Sequence, residues 1–181
     1  MLENSNTYML LTKTLSLQTL IDKLHLALCQ LVSWLTLLMV LLTFLIVLLR
    51  YGFNVGWIAM QESVMYLHVI VFLLGAAHTL RVNEHVRVDI FYRRFSARTQ
   101  ARVDIGGTLL LLMPVNFVLL LMSWDYVAAS WRMLESSPQA GGLPLVFALK
   151  SVILLFAISM NLQGLAELLR NLLRIRQGDP D

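Results

Sequence analysis

Twenty-four consecutive residues, Leu26 to Leu49, carry no formal charge. As a helix rising about 1.5 Å per residue, that block exceeds the roughly 30 Å hydrocarbon core of a bilayer. Three similar blocks follow. Ser63 to Leu80 is charge-free but holds His68 and His78, and its helix begins near Gly56. Ile105 to Trp124 is interrupted only by Pro114. Leu143 to Ala166 contains one charge, Lys150. With 58% hydrophobic and 14% charged residues, against about 25% charged in a soluble domain, the chain lacks the polar surface a globule in water needs. The expected fold is all-α and integral to the membrane, with four transmembrane helices over about 26–49, 56–80, 105–124 and 143–166.

The loops orient these spans, because lysine and arginine concentrate on the cytoplasmic side. Lys13 and Lys23 precede the first span, six arginines from Arg81 to Arg102 separate the second and third, and Arg170, Arg174 and Arg176 follow the fourth. The opposite side holds only Arg50 and Arg132. Both termini and the 81–104 loop are therefore expected in the cytoplasm, with Trp57, Trp124 and Trp131 at the outer interface. Tyr8, Leu11, Leu15, Ile21 and Leu24 recur at roughly helical spacing among polar residues, which predicts an amphipathic helix on the membrane surface over 1–25. The four-helix domain then covers 26–166 and a cytoplasmic tail 167–181.

The single cysteine, Cys29, excludes an internal disulfide, a multi-cysteine zinc site and thiol-oxidase chemistry. No metal-ligand spacing, nucleophile–base pair or phosphate-cradling loop is present, so neither an enzyme nor a resident cofactor or metal is expected. The net charge of +3 is explained by the basic loops and does not call for nucleic acid.

Ionisable groups within spans cost about 2.5–3.5 kcal/mol on insertion scales, so each needs a partner or an exit. Lys150 either snorkels to the outer surface or pairs with a carboxylate, for which Glu62 stands at similar depth. His25 and His78 match in depth near the inner ends of spans one and two, which leaves a haem-binding redox anchor as an alternative function. The prevailing reading of the span histidines is buried and hydrogen-bonded. In the inner loop, His85, Arg87 and Asp89 alternate with Val86, Val88 and Ile90, a period of two that suits a short extended stretch with local ion pairs. On the outer side, Gly141 and Gly142 allow a tight turn and Pro144 suits the first turn of span four. Trp131, Arg132 and Glu135 beside them are the side chains of a protein contact surface. Pro114 has no counterpart in another span, and no midplane charge stands ready for a substrate. A stand-alone small transporter is the weaker alternative, and an accessory subunit the better one.

Arg50-Tyr-Gly-Phe-Asn with Trp57 and Glu62, Arg81 followed by His85-Val-Arg87-Val-Asp89, and Trp131-Arg132 with Glu135, Ser137, Gly141-Gly-Leu-Pro144 and Lys150 carry a family likeness. In this order across four spans, they resemble the small membrane subunit of tripartite ATP-independent periplasmic (TRAP) transporters, the DctQ-like family. The resemblance covers about Asp22 to Arg170. It implies a scaffold in the bacterial inner membrane beside a large DctM-like transport subunit, which moves in elevator fashion. It further implies sodium-driven uptake of organic acids delivered by a periplasmic binding protein. Arg50, Trp57, Glu62, Trp131, Arg132, Glu135 and Lys150 on the outer half, with Arg81, His85, Arg87 and Asp89 on the inner, are then the candidates for partner contacts or internal ion pairs. The stretch before Asp22 is an extension with no role implied, and membrane lipid completes the expected surroundings.

Overall fold

The computed structural model describes residues 2–82 and 92–177, with side chains at Ser16 and from Gln18 onward. These residues are helical throughout their apolar blocks: α1 (Leu2–Phe53), α2 (Ile58–Arg81), α3 (Ala97–Gly107), a π turn (Thr108–Leu112), α4 (Met113–Met133) and α5 (Val146–Gln177). Four stretches are long and apolar enough to cross a membrane, with α3, the π turn and α4 forming one of them. In lipid every backbone N–H and C=O must find its partner internally, and a helix achieves that within one segment.

α1 is a single helix of 52 residues, about 78 Å at 1.5 Å per residue, and it passes position 25 without a break. No glycine or proline occurs before Gly52 to interrupt it. It ends where Asn54 takes a left-handed conformation (φ 54°) and the Val55 N–H returns to the Leu49 carbonyl at 3.0 Å. Asparagine tolerates that region better than most residues.

Pro114 lacks an N–H and cannot complete the α-helical ladder behind it. The third span meets this with the π turn just before the proline, and Asn116 Nδ2 donates to the Leu112 carbonyl at 2.8 Å. Leu112 is thereby placed over Gly164 of α5, where a Cβ would lie 2.7 Å from its Cδ2. The small residue lets the two helices approach.

α5 is the core of the molecule, lying between the α1–α2 hairpin and the third span. It buries 44% of its most apolar window, against 6% in each of the first two spans and 11% in the third. Leu41 and Phe44 of α1, and Leu110, Val118 and Met122 of the third span, remain exposed. The result is a row of helices organised about α5, with large apolar faces turned outward.

Candidate functional site

Two polar knots close the ends of this row. At the end opposite the termini, α4 finishes in a Schellman-type turn. Leu134 has φ 46°, its N–H bonds the Trp131 carbonyl at 3.2 Å, and the Glu135 N–H bonds the Ser130 carbonyl at 3.1 Å. This left-handed step swings Glu135 back over the bundle. Its Oε2 accepts from Ser130 Oγ at 2.6 Å and from Lys150 Nζ at 2.5 Å. Lys150 also stands 4.0 Å from the centre of the Tyr126 ring. The bond from Lys150, supported by Ser130, holds the Glu135 carboxyl below the usual carboxylate range.

Of the two sequence readings of Lys150, an exit to the outer surface or a pair with Glu62, the second is corrected: the carboxylate it meets is Glu135. Glu62 is occupied by the loop itself: Ser137 Oγ donates to its Oε1, and the Leu143 N–H donates to its Oε2 at 2.6 Å. Ser137 in turn ties the loop through its own N–H to the Leu143 carbonyl at 3.0 Å. Gly141 takes φ 79°, and a Cβ on Gly142 would sit 2.8 Å from Glu62 Oε1, so the two glycines admit a turn pressed against the carboxylate. Pro144 stands two residues before α5, whose first turn opens on the Leu145 carbonyl. Trp131 docks beside this loop, with Nε1 donating to Ser151 Oγ at 2.7 Å and its ring edge-on to Phe147. Arg50, Trp57 and Arg132 make no side-chain hydrogen bond or ion pair among the described residues. Arg50 instead lines a cleft of about 370 Å³ with Asn54 and Gln61.

At the end carrying the termini, Asp22 of α1 bridges two other helices. Arg81 Nε of α2 and Arg170 Nη2 of α5 each lie 3.3 Å from its carboxylate, and Arg170 Nη1 reaches Glu167 at 2.6 Å. Arg81 is thus placed in an internal ion pair. Asp22, Glu167 and Arg170 were missed as site residues; the one available signal was that Asp22 is the sole carboxylate between Glu3 and Glu62. His85, Arg87 and Asp89, with the extended stretch expected around them, lie outside the described residues.

The histidines also depart from expectation. His68 is exposed and stacked with Phe72, not buried. His25 is buried, at 1% exposure, beside Gln163 of α5 and the Ile21 carbonyl, yet neither ring nitrogen reaches full hydrogen-bond geometry. Neither cleft described here is lined by His25 or His78.

A family model described as tripartite ATP-independent periplasmic transporters, DctQ component, matches residues 39–174. The chain belongs to the DctQ family. It is accordingly a small component of a TRAP transporter, from a family of transporter components rather than enzymes. No curated protein and no solved structure matches the chain. The DctQ match takes in every member of the Glu62 and Glu135 knot, whereas Asp22, the centre of the other knot, precedes it.

Proposed function

We propose that the chain is the stationary scaffold beside a large elevator-type TRAP subunit in the bacterial inner membrane. In this reading the complex takes up organic acids, driven by sodium and delivered by a periplasmic binding protein that docks transiently. Both termini and the 81–104 stretch face the cytoplasm, following the arginine count. Membership of the DctQ family carries the proposal. The geometry is compatible with it: the two polar knots lie at the ends of the helices, and broad apolar flanks are left for a partner subunit and lipid.

The candidate residues divide accordingly. Glu62, Trp131, Glu135 and Lys150, with the Gly141–Gly142 turn and Pro144, hold the outer loop, and Arg81 holds the inner end. Arg50, Trp57 and Arg132 are the outer contacts offered to partners; His85, Arg87 and Asp89 are the inner ones. The test is a mild-detergent capture of the tagged chain from its native membrane, with mass spectrometry of what accompanies it. Stoichiometric recovery of a large polytopic subunit is expected. Recovery of the chain alone, with transport activity after reconstitution, or with haem absorbance, would replace the scaffold reading.

A further inference from the structure

A cleft of about 840 Å³ opens at the end carrying the termini, between α2, the third span and α5. Its lining changes character from the membrane surface inward. Arg174, in the last turns of α5, comes first, and Asn171 lies one turn deeper on the same face. Thr108 of the π turn follows, then Leu111, Leu112 and Val115. Leu111 and Val115 are 68% and 63% exposed, so the deep side is open sideways, toward the space a bilayer occupies.

Three observations say what the cleft lacks. Arg81 and Arg170 are committed to Asp22 and Glu167, whereas Arg174 has no ion pair among the described residues. Asn171 is only 4% exposed, yet its side-chain amide makes no hydrogen bond among them. The Thr108 hydroxyl, on a residue 9% exposed, makes none either. The polar atoms of both residues are not sealed off, so an amide and a hydroxyl lining one cleft stand open to a ligand with oxygen atoms. Two carboxylates also line the cleft, Asp104 bonded by the Tyr92 hydroxyl and Glu167 by Arg170. The remaining cation outside the amide and hydroxyl and the leucines inside them reproduce the order of groups along a membrane lipid. Basic pockets between transmembrane helices are suited to anionic head groups.

We propose that this cleft binds one anionic glycerophospholipid from the leaflet facing the termini. Its phosphate sits on Arg174, its glycerol ester region on Asn171 and Thr108, and one acyl chain along Leu111, Leu112 and Val115. The residues that carry it are this chain's own, and it does not depend on the scaffold reading.

The experiment is native mass spectrometry of the full chain in non-ionic detergent, titrated with dioleoyl phosphatidylglycerol. Dioleoylglycerol, which lacks the phosphate, and glycerol phosphate, which lacks the chains, are the comparison probes. One tightly held phosphatidylglycerol is expected, with dioleoylglycerol weaker and glycerol phosphate unable to displace it. Arg174→Gln should weaken retention about fivefold, the worth of one arginine near a lipid surface. Gly107→Leu directs a side chain into the cleft where a Cβ meets nothing within 4 Å, and should abolish retention at an unchanged unfolding temperature. Asn171→Leu gives an independent reading should Gly107→Leu prove unstable. Retention unaffected by Arg174→Gln and by the cleft variant that folds overturns the proposal. So does displacement by glycerol phosphate, which marks a free-phosphate site. Loss of a co-purifying membrane subunit from Gly107→Leu with lipid retention unchanged assigns the cleft to a protein segment instead.

Discussion

The two ends of the molecule solve the same problem by different means. Opposite the termini, a loop folds back onto helix ends: Ser130, Glu135, Ser137 and Leu143 lie within fifteen residues of one another, and the loop's own N–H groups at Ser137 and Leu143 add to the hydroxyl bonds. At the termini, side chains from three helices meet at Asp22, whose partner Arg170 is 148 residues away. The first knot is mostly local in sequence and orders one connection. The second is long-range and fixes how α1, α2 and α5 stand together. Charges near a lipid boundary are expensive unless paired, and pairing them inside the subunit leaves the middle of the row free of exposed charge.

If the long-range knot governs helix assembly, Asp22→Ala should be the most damaging change. It strands Arg81 and takes from Arg170 one of its two carboxylates, each arginine being about one-third exposed, and should cost about 2 kcal/mol by the worth of hydrogen bonds to charged groups. Thermal unfolding in detergent reads this, and replacing both arginines by leucine in the same background should recover part of the loss. Equal stability of Asp22→Ala and the parent would remove the contrast.

Glu62→Ala should come next, at about 1–2 kcal/mol, because it leaves the Leu143 N–H without its acceptor. Here hydrogen exchange should quicken across 135–145 while the α1–α5 contact stays protected. Loosening at both ends would show that the knots are one cooperative unit.

Acid should distinguish the ends further. The Glu135 carboxyl is held below its ordinary range by Lys150 and Ser130. A depressed folded-state value gives stability that is full above the unfolded value, about 4.3, and fades as pH falls through the folded one. Protection in the 134–145 loop, taken relative to the intrinsic exchange rate at each pH, should therefore fall below about pH 4. In Glu135→Gln this component should be absent, and loops equally sensitive in both proteins would assign the acid response elsewhere. The smallest effect expected is a gain. Leu134 adopts a left-handed conformation that costs a non-glycine residue about 1 kcal/mol, so Leu134→Gly should stabilise the outer end by up to that amount. A lower unfolding temperature would mean that the leucine side chain contributes more than its backbone costs.

Much of the framework was legible in the charge-free blocks, and Glu135, Lys150, Glu62 and Arg81 stood out because ions near apolar helices need an account. Their pairing was not legible. Glu62 and Lys150 matched in depth, but depth along a helix says nothing of rotation about it, and one left-handed residue at 134 redirected Glu135 to the lysine. The π turn escaped notice for a related reason: Pro114 announces a defect, but the sequence does not say whether a kink or a widened turn absorbs it.

By itself, then, the sequence determined that this chain forms four apolar helices with arginines gathered on one side of them. A long apolar block in lipid has no other way to satisfy its backbone. Which helix lies at the centre, which carboxylate meets which cation, and where a cleft remains open were decided only by the tertiary structure. Each depends on the rotation of one helix against another, and successive residues of a helix point about 100° apart.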